Sequence, residues 1–105
     1  MVRGDVHEYQ ALDPSGREQS GRRFCVIVQA PHLLPSSTVL VAPTSSSARE
    51  LTYRPRVRFL NRSTTVLIEQ IRATDSSRLG RRVGRLSVDE LWSINDAIKD
   101  VFGLM

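Results

Sequence analysis

The chain has 105 residues, of which 40% are hydrophobic and 25% charged, and its formal net charge is +4. A chain of this length can bury one real core but not two, so we expect a single domain spanning residues 1–105. It lacks both the run of about 18 to 20 apolar residues that a membrane helix needs and the apolar core of a signal peptide. We therefore expect a soluble, cytoplasmic protein without a membrane segment.

The positive charge is concentrated in the body of the chain. Residues 1–86 contain fourteen arginines against seven acids, whereas residues 87–105 contain Lys99 against four acids. Because the guanidinium fork binds phosphate in a bidentate way, this bias favours an anionic partner such as nucleic acid. A codon bias toward arginine would give the same ratio. The single cysteine, Cys25, lies in an apolar run and is interpreted as a buried small hydrophobe.

Strand patterns cover most of the chain. Apolar alternation and β-propensity predict five strands and a short sixth, at residues 2–12, 24–29, 38–42, 51–60, 65–71 and 82–86. Pro43 is expected to end the third strand before a hydroxyl-rich loop at 44–47, and Pro55 indicates an edge strand or one that starts only after the proline. The arginines alternating at 54, 56 and 58 fit either a basic strip for nucleic acid or an ordinary solvated face.

The C-terminal segment predicts one amphipathic helix that packs on the sheet. Ser87 and Glu90 form a capping box, and Gly103 is the expected residue after the last turn. Apolar residues recur between them at helical spacing, at Leu91, Ile94, Ile98, Val101 and Phe102. Trp92 falls beside this stripe and is either the margin of the core, the interpretation we favour, or a contact to a partner.

Two polar features remain to be explained. The loop at 12–23 contains turn-forming residues, Glu18 and Arg23, and it leads directly into the second strand, so it is either a binding loop or a solvated charged hairpin. Glu69 interrupts an apolar strand, which places it at the sheet rim beside an arginine or within a site. His7 and His32 have no metal-ligand spacing around them, and we expect neither a metal nor a cofactor.

Five short motifs in order along the chain resemble the MazF/PemK family of toxin endoribonucleases. They are RGDV at 3–6, LDP at 12–14, G-x-E-Q-x-G-x-R at 16–23, VAP at 41–43 followed by a hydroxyl residue, and EQIR at 69–72. The resemblance implies a mainly β fold with a C-terminal helix, an SH3-like small β-barrel. It further implies a homodimeric toxin of a toxin–antitoxin system that cuts single-stranded RNA and is covered by an acidic, flexible antitoxin.

The resemblance also implies the site residues. Arg23, Ser45 and Glu18 occupy the catalytic positions, with Thr44 as the alternative hydroxyl if the match slips by one residue. The implied RNA-binding residues are Arg17, Thr44, Glu69, Gln70 and Arg72. Phe24 departs from the family, which commonly has a proline there.

Two other functions are compatible with the same barrel. It could be a toxin that binds gyrase, or a basic nucleic-acid-binding module without catalysis. The combination of an arginine, a carboxylate and a hydroxyl favours cleavage, because the 2′-hydroxyl of RNA is itself a nucleophile and the protein need only move protons and stabilise charge.

Overall fold

A computed structural model describes residues 1–10 and 23–104, which fold into a curled, mainly β sheet with a helix at its C-terminal end. The strands are β1 (Asp5–Tyr9), β2 (Phe24–Ile27), β3 (Thr38–Ser45), β4 (Arg56–Phe59), β5 (Arg62–Val66), β6 (Arg72–Asp75) and β7 (Leu79–Arg85), and the helix is α1 (Val88–Phe102). Short 3₁₀ turns lie at Pro31–Leu33, Ile68–Gln70 and Ser76–Arg78. In this part of the chain no helix has the length and apolar character needed to cross a membrane.

The strands are antiparallel and follow the order β4-β5-β3-β2-β1-β7, with β6 paired to the first half of β3. The two ends of this order approach each other, because a Cβ at Gly84 in β7 would lie 3.2 Å from the Cβ of Phe59 in β4. Glycine at this position lets the two strands come close. The predicted mainly β fold with a C-terminal helix is confirmed.

β3 runs through Pro43, so the prediction that this proline ends the strand is wrong. The Pro43 carbonyl accepts a hydrogen bond from the Leu67 N–H at 2.9 Å, on the edge of β3 opposite β2. The nitrogen and carbonyl of one residue point to the same edge of a strand, so the Pro43 nitrogen, which carries no hydrogen, also faces away from β2. At that point of the edge β5 has ended and β6 has not yet begun. The strand therefore continues without losing a ladder bond to β2.

The predicted strand at 65–71 is also wrong, because it is two strands joined by a turn. β5 pairs Val66 with Thr44, and β6 pairs Arg72 with Val41. Val66 and Arg72 are six residues apart, whereas their partners Thr44 and Val41 are three residues apart. The 3₁₀ turn at Ile68–Gln70 accommodates the three additional residues. Glu69 consequently lies in a turn.

Other boundaries differ by a few residues. β1 begins at Asp5, after a turn in which Gly4 has a φ of 95°, and residues 11 and 12 of the predicted first strand lie outside the described residues. β2 ends at Ile27, and the strand predicted at 82–86 occupies Leu79–Arg85. β4 starts directly after Pro55 at one end of the strand order, as the proline indicated.

Two apolar clusters lie on opposite faces of the sheet. The larger one, on the face covered by α1, consists of Val6, Phe24, Val26, Ala42, Val57, Phe59, Val66, Ile68, Leu86, Ile94 and Ala97. The smaller one defines what we call the second face and consists of Tyr9, Cys25, Ile27, Val39 and Val41. Because successive strand residues point to opposite faces, odd-numbered residues of β1, β2 and β3 belong to the second face.

The helix matches its predicted caps. Ser87 and Glu90 form the capping box, and Gly103 ends the helix in the left-handed conformation at φ 69°. Trp92, however, is 62% exposed, so its assignment to the core margin is wrong. It lies two residues from the fully buried Ile94, about 200° around a helix with 3.6 residues per turn, and therefore points away from the sheet.

Asp5 anchors β1 to β7 from a position that is 2% exposed. Its carboxylate accepts hydrogen bonds from the Val2 N–H and from Arg85 Nε, both at 2.9 Å, and Arg82 lies 3.7 Å away. Burial acts to raise the pKa of Asp5, but the Val2 hydrogen bond, the Arg85 hydrogen bond and the charges of Arg85 and Arg82 outweigh it and lower the pKa below its ordinary value.

We predict that Asp5→Asn lowers the free energy of unfolding at neutral pH by about 2 kcal/mol, because charge-assisted hydrogen bonds to a buried carboxylate are lost. A folded-state pKa below the unfolded value means that the contribution of Asp5 is present above about pH 3.9 and is lost as the pH falls through the folded pKa. Urea unfolding at neutral and acidic pH should show the difference between the two proteins shrinking in acid. Asp96→Asn, at an exposed helix position, serves as the control. Equal stability of wild type and Asp5→Asn at neutral pH would contradict this account.

The prediction that Cys25 is buried is confirmed, and it leads to a chemical test. Burial raises the pKa of the Cys25 thiol to about 12, although the nearby charge of Arg72 acts in the opposite direction. Because the thiolate is the reactive form, the folded protein should not react with Ellman's reagent at mildly alkaline pH, whereas one thiol per chain should react in guanidinium chloride. Rapid labelling of the folded protein would show that the Cys25 thiol is accessible to solvent and would contradict its burial in β2.

Candidate active site

The register of β2 and β3 directs Arg23 and Ser45 toward each other. The last ladder pair is Cys25 with Pro43, and continuing the same register by two residues sets Arg23, just before β2, against Ser45 at the end of β3. A hydrogen bond from the Thr44 hydroxyl to the Phe24 carbonyl, at 3.2 Å, holds the strands together beyond the ladder. Both Arg23 and Ser45 have odd numbers and project from the second face, where Arg23 is exposed.

The two candidate hydroxyls, of Thr44 and Ser45, differ in the face they belong to and in their hydrogen-bond partners. Thr44 has the opposite parity, toward the helix-covered face, and its hydroxyl proton is used on the Phe24 carbonyl. Ser45 Oγ accepts the N–H groups of Ala48 at 3.0 Å and Ser47 at 3.3 Å. With both lone pairs occupied, Ser45 can act only as a donor, and Ser47 Oγ lies within reach of its proton at 3.4 Å. Because this contact is long and exposed, Ser45 is better placed than Thr44 to donate instead to an anionic oxygen.

Phe24 explains how Arg23 is fixed. The Phe24 ring is 5% exposed and packs edge-to-face on Phe59, with centroids 5.2 Å apart and planes at 67°. A buried aromatic pair of this kind anchors its backbone firmly. The residue that replaces the family's proline therefore holds the start of β2, and Arg23 precedes it at the entrance of the strand.

Glu69 and Gln70 lie in the 3₁₀ turn beside Pro43. Both oxygens of Glu69 accept from Arg54 Nε, at 2.9 and 3.2 Å, and Arg54 also donates to the Arg49 carbonyl at 2.9 Å. Glu69 thus has the arginine neighbour that the sequence suggested, and the pair ties the 49–54 segment to the turn. Gln70 is exposed, and its backbone N–H donates to Leu67 at 3.0 Å.

Arg72 extends across the second face to Tyr9. The sequence analysis did not identify Tyr9 as a site residue. Arg72 Nε donates to the Tyr9 hydroxyl at 2.8 Å, Arg72 Nη2 donates to the same oxygen, and the guanidinium carbon lies 5.4 Å from the ring centroid. The Tyr9 N–H in turn donates to the Arg23 carbonyl at 2.9 Å. The available signal was parity, since Tyr9 and His7 alternate onto the same face.

His7 is buried in β1 and bonded to the backbone of β7. Its Nδ1 lies 2.9 Å from the Gly80 carbonyl, which can only accept, so the proton is on Nδ1. Nε2 is buried without a partner among the described residues. This nitrogen is closed to an RNA hydroxyl in the structure.

Two implied site residues, Arg17 and Glu18, lie outside the described residues. In the ranges 1–10 and 23–104, no group of three or more His, Cys, Asp or Glu side chains is placed to hold a metal ion. The described part of the site therefore consists of Arg23, Ser45, the 3₁₀ turn and the Arg72–Tyr9 pair.

Comparison with known proteins gives a consistent result. Residues 2–102 match the family described as PemK-like, MazF-like toxin of type II toxin-antitoxin system. A candidate toxin of Mycobacterium tuberculosis is 33% identical over 106 residues, covering 99% of both chains. Endoribonuclease MazF of Staphylococcus saprophyticus is 32% identical over 111 residues, covering 99% of this chain and 92% of its own.

A solved structure has the same fold. It is an endoribonuclease in complex with its cognate antitoxin from a mycobacterial species, with a TM-score of 0.82, 18% identity, and coverage of 100% of this chain and 97% of that chain. The family predicted from the five motifs is thereby confirmed. The chain belongs to the PemK-like, MazF-like toxins of type II toxin–antitoxin systems.

Proposed function

We propose that this chain is a toxin endoribonuclease that cuts single-stranded RNA without a metal ion, acting as a one-domain homodimer in the cytoplasm. The observation that carries the proposal is the β2–β3 register, which, continued by two residues, sets Arg23 against Ser45, with the Ser45 lone pairs occupied by backbone N–H groups. A relative that is 32% identical is named an endoribonuclease, which supports the reaction class.

The proposed reaction is a transesterification within the RNA. The 2′-hydroxyl loses a proton and attacks the adjacent phosphorus, the P–O5′ bond breaks, and the departing oxygen is protonated. The products are a 2′,3′-cyclic phosphate and a 5′-hydroxyl. Negative charge builds on the non-bridging oxygens as phosphorus becomes five-coordinate, and the Arg23 guanidinium and Ser45 hydroxyl donate to those oxygens.

Glu18 supplies the carboxylate of the proposed site. It precedes Arg23 by five residues in the sequence. It acts either as the base that takes the 2′-hydroxyl proton or as the group that orients Arg23.

The proposed partners follow from charge and from the family. Residues 1–86 carry fourteen arginines against seven acids, which suits both an RNA strand and an acidic antitoxin segment lying over the same face. The mycobacterial structure that shares this fold was solved with its cognate antitoxin. We assign RNA contacts to Arg17, Thr44, Glu69, Gln70 and Arg72.

We predict that Arg23→Ala and Ser45→Ala each lower the rate of RNA cleavage by about 100- to 1,000-fold, because each removes a preorganised donor to the developing charge. Thr44→Val removes a neutral hydrogen bond worth about 1 kcal/mol, so its loss should stay below about tenfold. The assay is incubation of the purified proteins with long mixed-sequence RNA in EDTA, with thermal unfolding to confirm that each variant is folded.

Three results would contradict parts of this proposal. Cleavage that is lost in Thr44→Val but kept in Ser45→Ala would move the catalytic hydroxyl to Thr44. Wild-type protein that retains RNA without cutting it would favour a binding module. Wild-type protein that neither cuts nor retains RNA would favour a protein target such as gyrase.

Glu18→Gln separates the two roles of the carboxylate. If Glu18 is the base, activity rises with pH as the carboxylate deprotonates, and the glutamine variant loses this acidic limb of the pH profile. If Glu18 orients Arg23, the variant is slower across the whole range with the limb unchanged. Single-turnover cleavage rates over an acidic to neutral pH series distinguish the two, and full activity of the variant would remove Glu18 from the site.

A further inference from the structure

Two arginines beside the site are held by chemically different partners. Arg54 is paired with the Glu69 carboxylate, whose charge cancels its own. Arg72 is held by the Tyr9 hydroxyl, and none of the described carboxylates pairs with it. A phenol is uncharged near neutral pH, so it fixes the position of a guanidinium without neutralising it. Within the described ranges, the charge of Arg72 is therefore not neutralised by a carboxylate, and we infer that it is available to an anionic ligand.

Tyr9 is itself rigidly placed. Its side chain is 7% exposed and belongs to the apolar cluster of the second face, and its backbone N–H is bonded to the Arg23 carbonyl at 2.9 Å. One residue thus connects the catalytic arginine to the guanidinium of Arg72. The connection runs through backbone on one side and through the phenol on the other.

Arg72 has donors to spare. A guanidinium carries five N–H donors, and Arg72 uses one on Nε and one on Nη2 to reach Tyr9. The other three have no partner in residues 1–10 and 23–104, and Arg72 is an exposed residue. An exposed cation with free donors, fixed on the same face as another arginine, suits bidentate recognition of a phosphate.

We propose that Tyr9 is a positioning residue that holds Arg72 as a second phosphate-binding cation, for a phosphodiester flanking the one at Arg23 and Ser45. This inference rests on the proposed function for its substrate, a single-stranded polynucleotide. It goes beyond the assignment of Arg72 as an RNA contact, because it states what keeps that contact in place and makes the contribution of Arg72 depend on one hydroxyl group.

The test is a double-mutant cycle of Tyr9→Phe and Arg72→Ala, because the phenylalanine ring keeps the packing and loses only the hydroxyl. The probe is a fluorescent 2′-O-methyl RNA of mixed sequence, which lacks the attacking hydroxyl and cannot be cut. We expect Tyr9→Phe to weaken binding by about three- to tenfold and Arg72→Ala by about tenfold. In the Arg72→Ala background, Tyr9→Phe should have no further effect, and Arg72→Ala should reduce the salt slope by about 0.7.

Arg62→Ala is the matched control for loss of one positive charge. Arg62 is exposed in β5, the strand in which Thr65 pairs with Ser45. Because residues 62 and 65 are three positions apart, they belong to opposite faces of the strand, so Arg62 lies away from the Ser45 face. Its removal should leave binding of the probe within about twofold, whereas an equal loss in Arg62→Ala and Arg72→Ala would show that only net charge matters and would overturn the inference.

Cleavage of ordinary RNA supplies the second measurement. Because the flanking phosphate is bound in the ground state and the transition state alike, Tyr9→Phe should raise KM with kcat within about twofold of wild type. Tyr9→Phe that binds the probe like wild type, or that weakens it equally with and without Arg72, would overturn the inference. If wild type cuts no RNA but the coupling in the probe assay is present, the nuclease proposal fails and the phosphate site stands.

Discussion

The antiparallel ladder between β2 and β3 determines the geometry of the candidate site. Its register, continued two residues past the last ladder pair, sets Arg23 against Ser45, and the alternation of the pleat assigns both to the second face. Phe24, buried against Phe59, and the Thr44 hydroxyl bonded to the Phe24 carbonyl keep the register fixed beyond the last ladder pair. A slip of one residue would exchange the roles of Thr44 and Ser45, so the choice of hydroxyl is a property of this ladder.

The two faces of the sheet have different roles, one in packing and the other in the proposed binding of RNA. One face packs on α1 and supplies most of the apolar core, which leaves the other with a small cluster beneath a polar surface. The arginines near the candidate site differ in their partners. Glu69 neutralises Arg54 and ties the 49–54 segment to the 3₁₀ turn, whereas Arg72 is bound by the uncharged hydroxyl of Tyr9. In the proposed function, this difference leaves the charge of Arg72 available to an anionic ligand.

Local signals predicted the helix and its caps and the buried Cys25, because capping and strand burial depend on neighbouring residues. The motifs named Arg23 and Ser45 as candidates, and that assignment stays a prediction. The sequence predictions failed where the pairing of distant strands decides the structure. Pro43 fits inside β3 because its nitrogen faces away from β2. Glu69 lies in a turn because β5 and β6 pair with β3 in registers that differ by three residues. The contact between Tyr9 and Arg72 joins residues 63 positions apart, which periodicity cannot show.

The central claim is that the second face cuts RNA with the RNA's own 2′-hydroxyl, using protein donors in place of a metal ion. The most direct test is mass spectrometry of the fragment ends after cleavage in EDTA. Fragments ending in a 2′,3′-cyclic phosphate and beginning with a 5′-hydroxyl are the predicted result. Fragments with a 3′-hydroxyl and a 5′-phosphate would show attack by water and would contradict the claim.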